Sequence, residues 1–176
     1  ATNRSGAVRE GAAIVGIGET EVGKLPGRTA LGLQGEAVQK ALADARIDKA
    51  KVDGVYVLGS YIQPVQLHGL SVVEYLGLTP RFVENVDVGG TVAFIAMVLN
   101  AMAAIDEGRI EVAVCVYGDN SATHRPPGTH GYVTQMVSGA EEFEETYGSS
   151  IVVSYALLAR RYLDLYGLEP EAEFAP

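Results

Sequence analysis

The order of apolar and polar positions predicts short strands that alternate with helices. Apolar runs rich in β-branched residues recur along the first two thirds of the chain, and most are followed by a loop and then a helical pattern. Continuous apolar runs of this length are typical of strands buried on both faces of a sheet. Strands that alternate with helices favour parallel βαβ units. The sequence therefore predicts an α/β fold with a mixed, mostly parallel sheet, and its strands are expected at 12–17, 54–58, 82–88 and 110–117.

Helical spacing marks the segments between these strands. Thr29 is expected to cap a helix that runs through Ala45, and shorter periodic segments indicate helices at 68–76 and 150–166. Residues 122–149 have no periodicity, and a loop of that length in a compact domain is usually functional or disordered. The expected organisation is a flexible arm at 1–10, an α/β core at 11–121, and a loop excursion with a C-terminal helix at 122–176.

One helical run is apolar on every face. From Val92 to Ile105 only Asn100 is polar, so a helix here is predicted to lie buried in the centre of the protein. The run is too short to cross a bilayer, which takes about 20 apolar residues. Gly108 follows it and can cap its C-terminus. The sequence therefore predicts a buried central helix between the third and fourth strands.

The turn before this helix, Gly89-Gly90-Thr91, has two interpretations. Glycines at such a corner allow the helix to pack closely on the sheet. They also leave backbone N–H groups and the positive helix end free to face a ligand. Asp87 and Thr91 are capping candidates. The sequence alone leaves both uses open.

Net charge and cysteine content exclude some classes of binding partner. The net charge of −9 argues against binding to nucleic acid or to an anionic membrane through bulk electrostatics. The single cysteine, Cys115, excludes an internal disulfide framework and suits a reducing compartment. No transmembrane run and no signal-peptide pattern is present in this sequence. We therefore expect a cytoplasmic protein without nucleic-acid or membrane binding.

A few polar residues are candidates for binding a ligand. Asp119 and Asn120 follow the fourth predicted strand, at the edge where α/β sheets bind ligands. His124 and His130 lie in the long loop that follows. His68 is expected to begin a surface helix. Three histidines without a neighbouring cysteine do not form a zinc site, so no metal is expected.

Five stretches of the chain resemble the thiolase superfamily, and in particular the thiolase-like proteins of the sterol-carrier or lipid-transfer type. They are residues 13–20 with 27–29, 37–55, 85–108 with 111–114, 117–121, and 143–148 with 154–162. Thiolases consist of two similar α/β halves, and this chain resembles the N-terminal half. The resemblance implies an acyl-CoA thioester as substrate, with no separate cofactor.

The resemblance fails at one chemically decisive position. Thiolases place a nucleophilic cysteine at the N-terminus of the buried helix, where the helix end lowers the thiol pKa. The matching position here is Thr91, beside Gly89 and Gly90. Threonine lacks the acidity of a thiol, and Cys115 is expected to be a buried, inert residue in the middle of a strand. The covalent acyl-enzyme step is therefore not expected at this helix.

A reaction at a thioester without a thiol remains open. The resemblance to cysteine-poor members implies retro-aldol carbon–carbon cleavage of a sterol-type or lipid-type acyl-CoA, which needs an enolate stabiliser and a base. One alternative is a non-catalytic acyl-CoA or lipid carrier or scaffold subunit. Another is a conventional acetyl-CoA acyltransferase, which Thr91 disfavours.

The resemblance also implies partners. Family members dimerise through the strand before the nucleophile turn, which corresponds to Phe82–Val88. The catalytic histidine and second cysteine of thiolases come from their second half. We therefore expect a homodimer, together with a chain that carries the second half or a small OB-fold, zinc-ribbon partner.

Overall fold

The computed structural model describes residues 11–89, 92–124 and 151–169. The contacts divide the chain into two compact units, Ala1–His124 and Arg125–Pro176, and each is described by itself. The elements of the first unit are α1 (Ala30–Ala45), a 3-10 turn (Lys49–Lys51), β1 (Gly54–Val57), α2 (His68–Leu76), β2 (Phe82–Asn85), α3 (Val92–Asp106), β3 (Ala113–Val116) and α4 (Ser121–His124). The described part of the second unit contains α5 (Ile151–Tyr166), which confirms the predicted last helix. The predicted arm at 1–10 lies outside the described residues.

A parallel sheet of β2, β1 and β3, in that order, forms the centre of the first unit. In β1, Gly54 lies opposite Phe82 and Ala113, and Val57 lies opposite Asn85 and Val116. Because the strands run in the same direction, their carboxyl ends meet at one edge of the sheet. The predicted α/β class and the parallel pairing are confirmed. The strands at 82–88 and 110–117 are shorter than predicted, because only four residues of each pair with β1.

An apolar layer covers each face of the sheet. On one face, Val55 and Val57 of β1 pack with side chains of α1 and α2 that include Val38, Val72 and Leu76. On the other face, Tyr56 and Leu58 pack with α3 through Ala93, Met97, Ala101 and Ala104. Full burial of one aliphatic side chain contributes about 1.5–3 kcal/mol. These two layers therefore fix the sheet edge on which the polar residues lie.

Local capping sets the ends of the helices as the sequence predicted. The Thr29 hydroxyl accepts a hydrogen bond from the Gly32 N–H at 3.0 Å at the start of α1. Gly77 ends α2 with φ 61°, and Gly108 follows α3 with φ 69°. Both glycines adopt the left-handed conformation that side chains disfavour.

The prediction of a buried first strand at 12–17 is wrong. These residues belong to no strand, and Ile14, Val15 and Ile17 are exposed. Gly16 and Gly18 lie so close to the backbone of α1 that a Cβ atom at either position would collide with a carbonyl oxygen of that helix. The segment therefore contacts α1 through its backbone, and its large apolar side chains are exposed.

The prediction that α3 is buried on every side holds for one face only. Ala93 and Met97 are fully buried against the sheet, whereas Phe94, Ile95 and Leu99 are about half or more exposed. Exposed apolar side chains grouped on one helix face usually mark an interaction surface. In the part of the chain that the structure describes, no helix has the length and apolar character needed to span a bilayer.

Two alanine substitutions in α3 test this assignment of faces. We expect Met97→Ala to lower the free energy of unfolding by about 2–5 kcal/mol, because it leaves a cavity against the sheet. The matched change Leu99→Ala, on the exposed face, should cost about 1 kcal/mol or less. Urea unfolding followed by circular dichroism measures both. Equal losses would show that the outward face of α3 is covered in solution.

Candidate functional site

Polar side chains converge at the carboxyl edge of the sheet. Three loops meet there, at 58–63 after β1, 86–89 after β2 and 117–120 after β3. Open parallel sheets bind their ligands at this edge, outside the ends of the strands. The edge is therefore the candidate functional site of the first unit.

The Asp119 carboxylate joins the loops after β1 and β3. Its Oδ1 accepts hydrogen bonds from the Ser60 hydroxyl and from the Asn120 N–H, both at 2.8 Å. Its Oδ2 accepts one from the Tyr61 N–H at 3.0 Å. These three hydrogen bonds come from backbone and side-chain groups of both loops. Asp119 was predicted as a ligand-binding residue, and in this structure its oxygens serve to position the two loops.

The turn from Ser60 to Gln63 connects the rest of the edge. The Ser60 hydroxyl accepts hydrogen bonds from the backbone N–H groups of Ile62 and Gln63, at 3.2 and 2.7 Å. The Tyr61 hydroxyl donates to Asp87 Oδ1 at 2.9 Å, which ties the loop after β2 to the same turn. Asp87 was predicted as a helix-capping candidate, and this structure shows its carboxylate bonded to Tyr61.

Gln63 brings His124 to this edge. The Gln63 Oε1 accepts a hydrogen bond from the Ala30 N–H at 2.7 Å, at the first residue of α1. The Gln63 Nε2 lies 3.3 Å from the Nε2 of His124, the last residue of α4. One side chain thus connects the start of α1, the turn after β1 and the predicted site histidine.

Asn120 holds a further loop against the edge. Its side chain is 2% exposed, and its Nδ2 donates to the carbonyl oxygens of Leu25 and Arg28, at 2.9 and 2.7 Å. The Thr123 hydroxyl accepts from the Leu25 N–H at 2.6 Å. The predicted site residue Asn120 therefore lies at the sheet edge, where its amide fixes the turn before α1.

A buried pair, Gln34 and His68, lies beneath the edge. Gln34 Nε2 donates to the carbonyl oxygens of Leu58 and Gly118, at 3.3 and 2.9 Å, and so bridges the ends of β1 and β3. Its Oε1 lies 2.7 Å from His68 Nε2. His68 begins α2, as predicted, but it lies on the buried side of that helix and is only 5% exposed. Burial lowers the pKa of His68, although the charge of Asp119 opposes that shift.

Some of the predicted site residues lie at the carboxyl edge, and others lie outside the described residues. Asp119, Asn120 and His124 lie at the carboxyl edge, and Gly89 lies in the loop after β2 with φ 82°. Gly90, Thr91 and His130 lie outside the described residues. Sequence reasoning missed the residues that connect these loops, because their contacts join positions that are far apart in the sequence. The usable signal was that each predicted strand ends in a short polar segment. The connecting residues are Ser60, Tyr61, Gln63 and Gln34.

The Cys115 thiol is unsuited to nucleophilic chemistry. It lies in the middle of β3, opposite Tyr56, and is partly buried. Burial raises its pKa to about 11, so the thiol stays protonated at neutral pH. This agrees with the prediction of an inert cysteine. Among residues 11–89, 92–124 and 151–169, no three histidine, cysteine or acidic side chains are grouped closely enough to hold a metal ion.

Replacing the carboxylate at the centre of the edge should loosen both loops. We expect Asp119→Asn to lower the free energy of unfolding by about 1–3 kcal/mol, because an amide nitrogen would face one of three donors. Asp87→Asn is the matched control: its remaining oxygen can still accept from Tyr61, so the loss should be about 0.5 kcal/mol. Amide hydrogen exchange at Tyr61 and Asn120 should accelerate in the first variant only. Unchanged exchange would contradict the central role of Asp119.

The buried state of His68 predicts a pH dependence. Its pKa is lowered in the folded state, so below its ordinary value of 6.5 the unfolded chain binds more protons than the folded chain. Stability from this residue is fully present above that pH and is lost as the pH falls towards the folded pKa. Urea unfolding should show this decline in the wild type and not in His68→Gln. A parallel decline in both would assign it to other groups.

Comparison with known proteins finds several relatives, and three of them are 30–33% identical to this chain. The chain is 32% identical over 166 residues to a steroid side-chain-cleaving aldolase of Thermomonospora curvata, covering 91% of this chain and 41% of the relative. It is 33% identical over 165 residues to a 17-hydroxy-3-oxo-4-pregnene-20-carboxyl-CoA lyase of Mycobacterium tuberculosis, covering 89% and 41%. It is 30% identical over 168 residues to an acetyl-CoA acetyltransferase of Methanocaldococcus jannaschii, covering 90% and 40%. No family model matches the chain.

A solved structure agrees with these relatives. The Ltp2-ChsH2(DUF35) aldolase superposes with a TM-score of 0.69 at 30% identity, covering 92% of this chain and 40% of that chain. The chain thus spans about two fifths of the length of the proteins that it matches. Over almost its whole length, it is similar to a steroid side-chain-cleaving aldolase, a carboxyl-CoA lyase and an acetyl-CoA acetyltransferase, and to the fold of the Ltp2-ChsH2(DUF35) aldolase.

Proposed function

We propose that this chain is part of a thiolase-like enzyme that cleaves a carbon–carbon bond in a steroid-type or lipid-type acyl-CoA by a retro-aldol reaction. Two of the three relatives and the solved structure are named as aldolases or lyases. The observation that carries the choice of reaction is the state of Cys115, whose thiol is fixed in β3 with its pKa raised to about 11. A retro-aldol reaction needs no thiol.

The retro-aldol reaction needs a base for the β-hydroxyl and hydrogen-bond donors for the thioester carbonyl oxygen. The bond between the α and β carbons breaks, the β-hydroxyl loses its proton to a base, and negative charge gathers on the thioester carbonyl oxygen as the enolate forms. Donors arranged in advance around that oxygen lower the barrier. The N-terminus of α3, a helix of 15 residues that follows the Asp87–Gly89 loop, supplies a positive helix end near the carboxyl edge. We propose that Gly89, Gly90 and Thr91 bind the thioester there.

A second candidate function is acetyl transfer, which similarity to the Methanocaldococcus jannaschii acetyltransferase favours. That reaction in thiolases passes through an acyl group on a cysteine thiolate. The sequence has one cysteine, and its raised pKa keeps it protonated. A non-catalytic acyl-CoA carrier or scaffold is the third candidate, since the polar edge would serve binding alone equally well.

The proposed enzyme needs more polypeptide than this chain. The matched proteins are more than twice as long, and the exposed apolar face of α3 provides a surface for further structure. The compound name Ltp2-ChsH2(DUF35) supports a partner chain, which we propose to be the predicted small OB-fold, zinc-ribbon protein. The homodimer through Phe82–Val88 also stays a proposal. It is supported by the position of β2 at the edge of the described sheet.

Isotope exchange distinguishes the candidate functions. We expect the protein, combined with the polypeptide that completes it, to exchange the α-protons of acetyl-CoA with D2O, because enolate formation is shared with the cleavage step. Proton NMR of the acetyl methyl signal measures the loss. Cys115→Ser should exchange at the wild-type rate, since the thiol takes no part.

Two other outcomes would replace the proposal. Binding of acetyl-CoA without exchange would indicate a carrier. Transfer of the acetyl group with ping-pong kinetics, abolished in Cys115→Ser, would indicate an acyltransferase that uses this thiol. Each result requires the same preparation and the same substrate, so the three candidates are compared directly.

A further inference from the structure

The backbone of α1 fixes the orientation of the Gln63 amide. The Ala30 N–H lies 2.7 Å from Gln63 Oε1, and a backbone N–H can only donate. If the amide were reversed, its NH2 group would face this N–H, and two donors would meet at a buried residue that is 1% exposed. The oxygen of Gln63 therefore faces α1, and its NH2 group faces His124.

The orientation of Gln63 determines the tautomer of His124. The Gln63 Nε2 lies 3.3 Å from His124 Nε2 and has no lone pair to accept a hydrogen bond. His124 Nε2 must therefore be the acceptor, which requires its lone pair and leaves it without a proton. In the neutral imidazole, the proton then lies on Nδ1.

We propose that His124 acts as a hydrogen-bond donor, through Nδ1–H, to the thioester carbonyl oxygen of an acyl-CoA bound at the carboxyl edge, and that Gln63 is the positioning residue that sets this tautomer. The proposal rests on the proposed function and assigns a role within the same site. No covalent step is involved, since the proton stays on Nδ1. The Nε2 lone pair is held by Gln63, so His124 is not the general base of the reaction.

Three observations support this assignment. His124 is exposed, so its second nitrogen is accessible to a ligand. It ends α4, four residues after Asn120 and next to the loop that Asn120 and Thr123 hold in place. The contacts of the Asp119 carboxylate at this edge are to Ser60, Tyr61 and Asn120 and not to His124. A neutral donor beside a developing oxyanion is the arrangement that stabilises an enolate.

The test reads the tautomer directly in the 15N-labelled protein. Two-bond 1H–15N correlation spectra at about pH 8.5, well above the ordinary histidine pKa of about 6.5, show which nitrogen carries the proton. Neutral histidines in water carry it mainly on Nε2, so an Nδ1–H signal for His124 is the distinctive expected result. A spectrum with the proton on Nε2 would overturn the proposal.

Two variants of Gln63 provide the matched controls. Gln63→Glu keeps one oxygen as acceptor for the Ala30 N–H and replaces the NH2 group that faces His124 with a second oxygen. Because that oxygen is an acceptor, the His124 proton should move to Nε2. Gln63→Met removes both contacts at similar volume, and His124 should return to the mixture of tautomers seen in water. A signal that stays on Nδ1 in both variants would show that Gln63 does not set it. Circular dichroism confirms that each variant is folded.

Titration with acetyl-CoA completes the test, again with the completing polypeptide present. We expect the Nδ1–H signal to shift on binding, and Gln63→Glu to bind about tenfold more weakly, the loss of roughly one hydrogen bond. Equal affinity of wild type and Gln63→Glu would overturn the donor role. Absence of any binding, with the expected tautomer present, would overturn the proposed function while leaving the assignment of Gln63 intact.

Discussion

The Ser60 hydroxyl is the contact on which the polar edge depends. It accepts from the N–H groups of Ile62 and Gln63 and donates to Asp119, so it closes a tight turn and attaches that turn to the neighbouring loop. Only a hydroxyl both donates and accepts in so small a volume. The positions of the Tyr61 and Gln63 side chains follow from this turn, and through them those of Asp87 and His124.

Beneath this turn, Gln34 links the two strand ends from the apolar side. Its NH2 group donates to carbonyl oxygens that follow β1 and β3, and its own oxygen meets His68. A buried amide with all three groups satisfied strengthens a structure, whereas a partly satisfied one weakens it. Hydrogen bonds therefore hold the loops of the sheet edge at two levels: between Ser60 and Asp119 in the loops themselves, and from buried Gln34 to the ends of β1 and β3. A ligand at this edge would meet loops that are already ordered, which reduces the entropy lost on binding.

Local signals in the sequence predicted most of the fold. Thr29, Gly77 and Gly108 mark helix ends because capping depends on neighbouring residues alone. The strand at 12–17 was wrong because its apolar composition does not reveal that Gly16 and Gly18 contact the backbone of α1. That contact joins residues 19 or more positions apart.

The candidate site was predictable only in outline. A polar segment after a buried strand indicates the binding edge of an α/β sheet, and Asp119 and Asn120 were found in this way. His124 was selected because it lies in the long segment that follows. The sequence could not show that Gln63 touches both α1 and α4, because a single amide in an aperiodic loop has no distinctive spacing. The all-round apolar pattern of α3 likewise predicts that both faces become covered, and the first unit covers one.

The contact between the 12–18 segment and α1 affects how the sequence can vary. Positions 16 and 18 accept only glycine, because any larger residue meets the helix backbone, whereas the side chains of Ile14, Val15 and Ile17 lie outside the core of the unit. Among homologous sequences, invariant and variable positions should therefore alternate with a period of two over 15–18. Such a period is normally taken as the signature of a strand. In this segment the period would instead reflect the contact of Gly16 and Gly18 with the backbone of α1. An alignment of many sequences would therefore also predict a strand here, as the single sequence did.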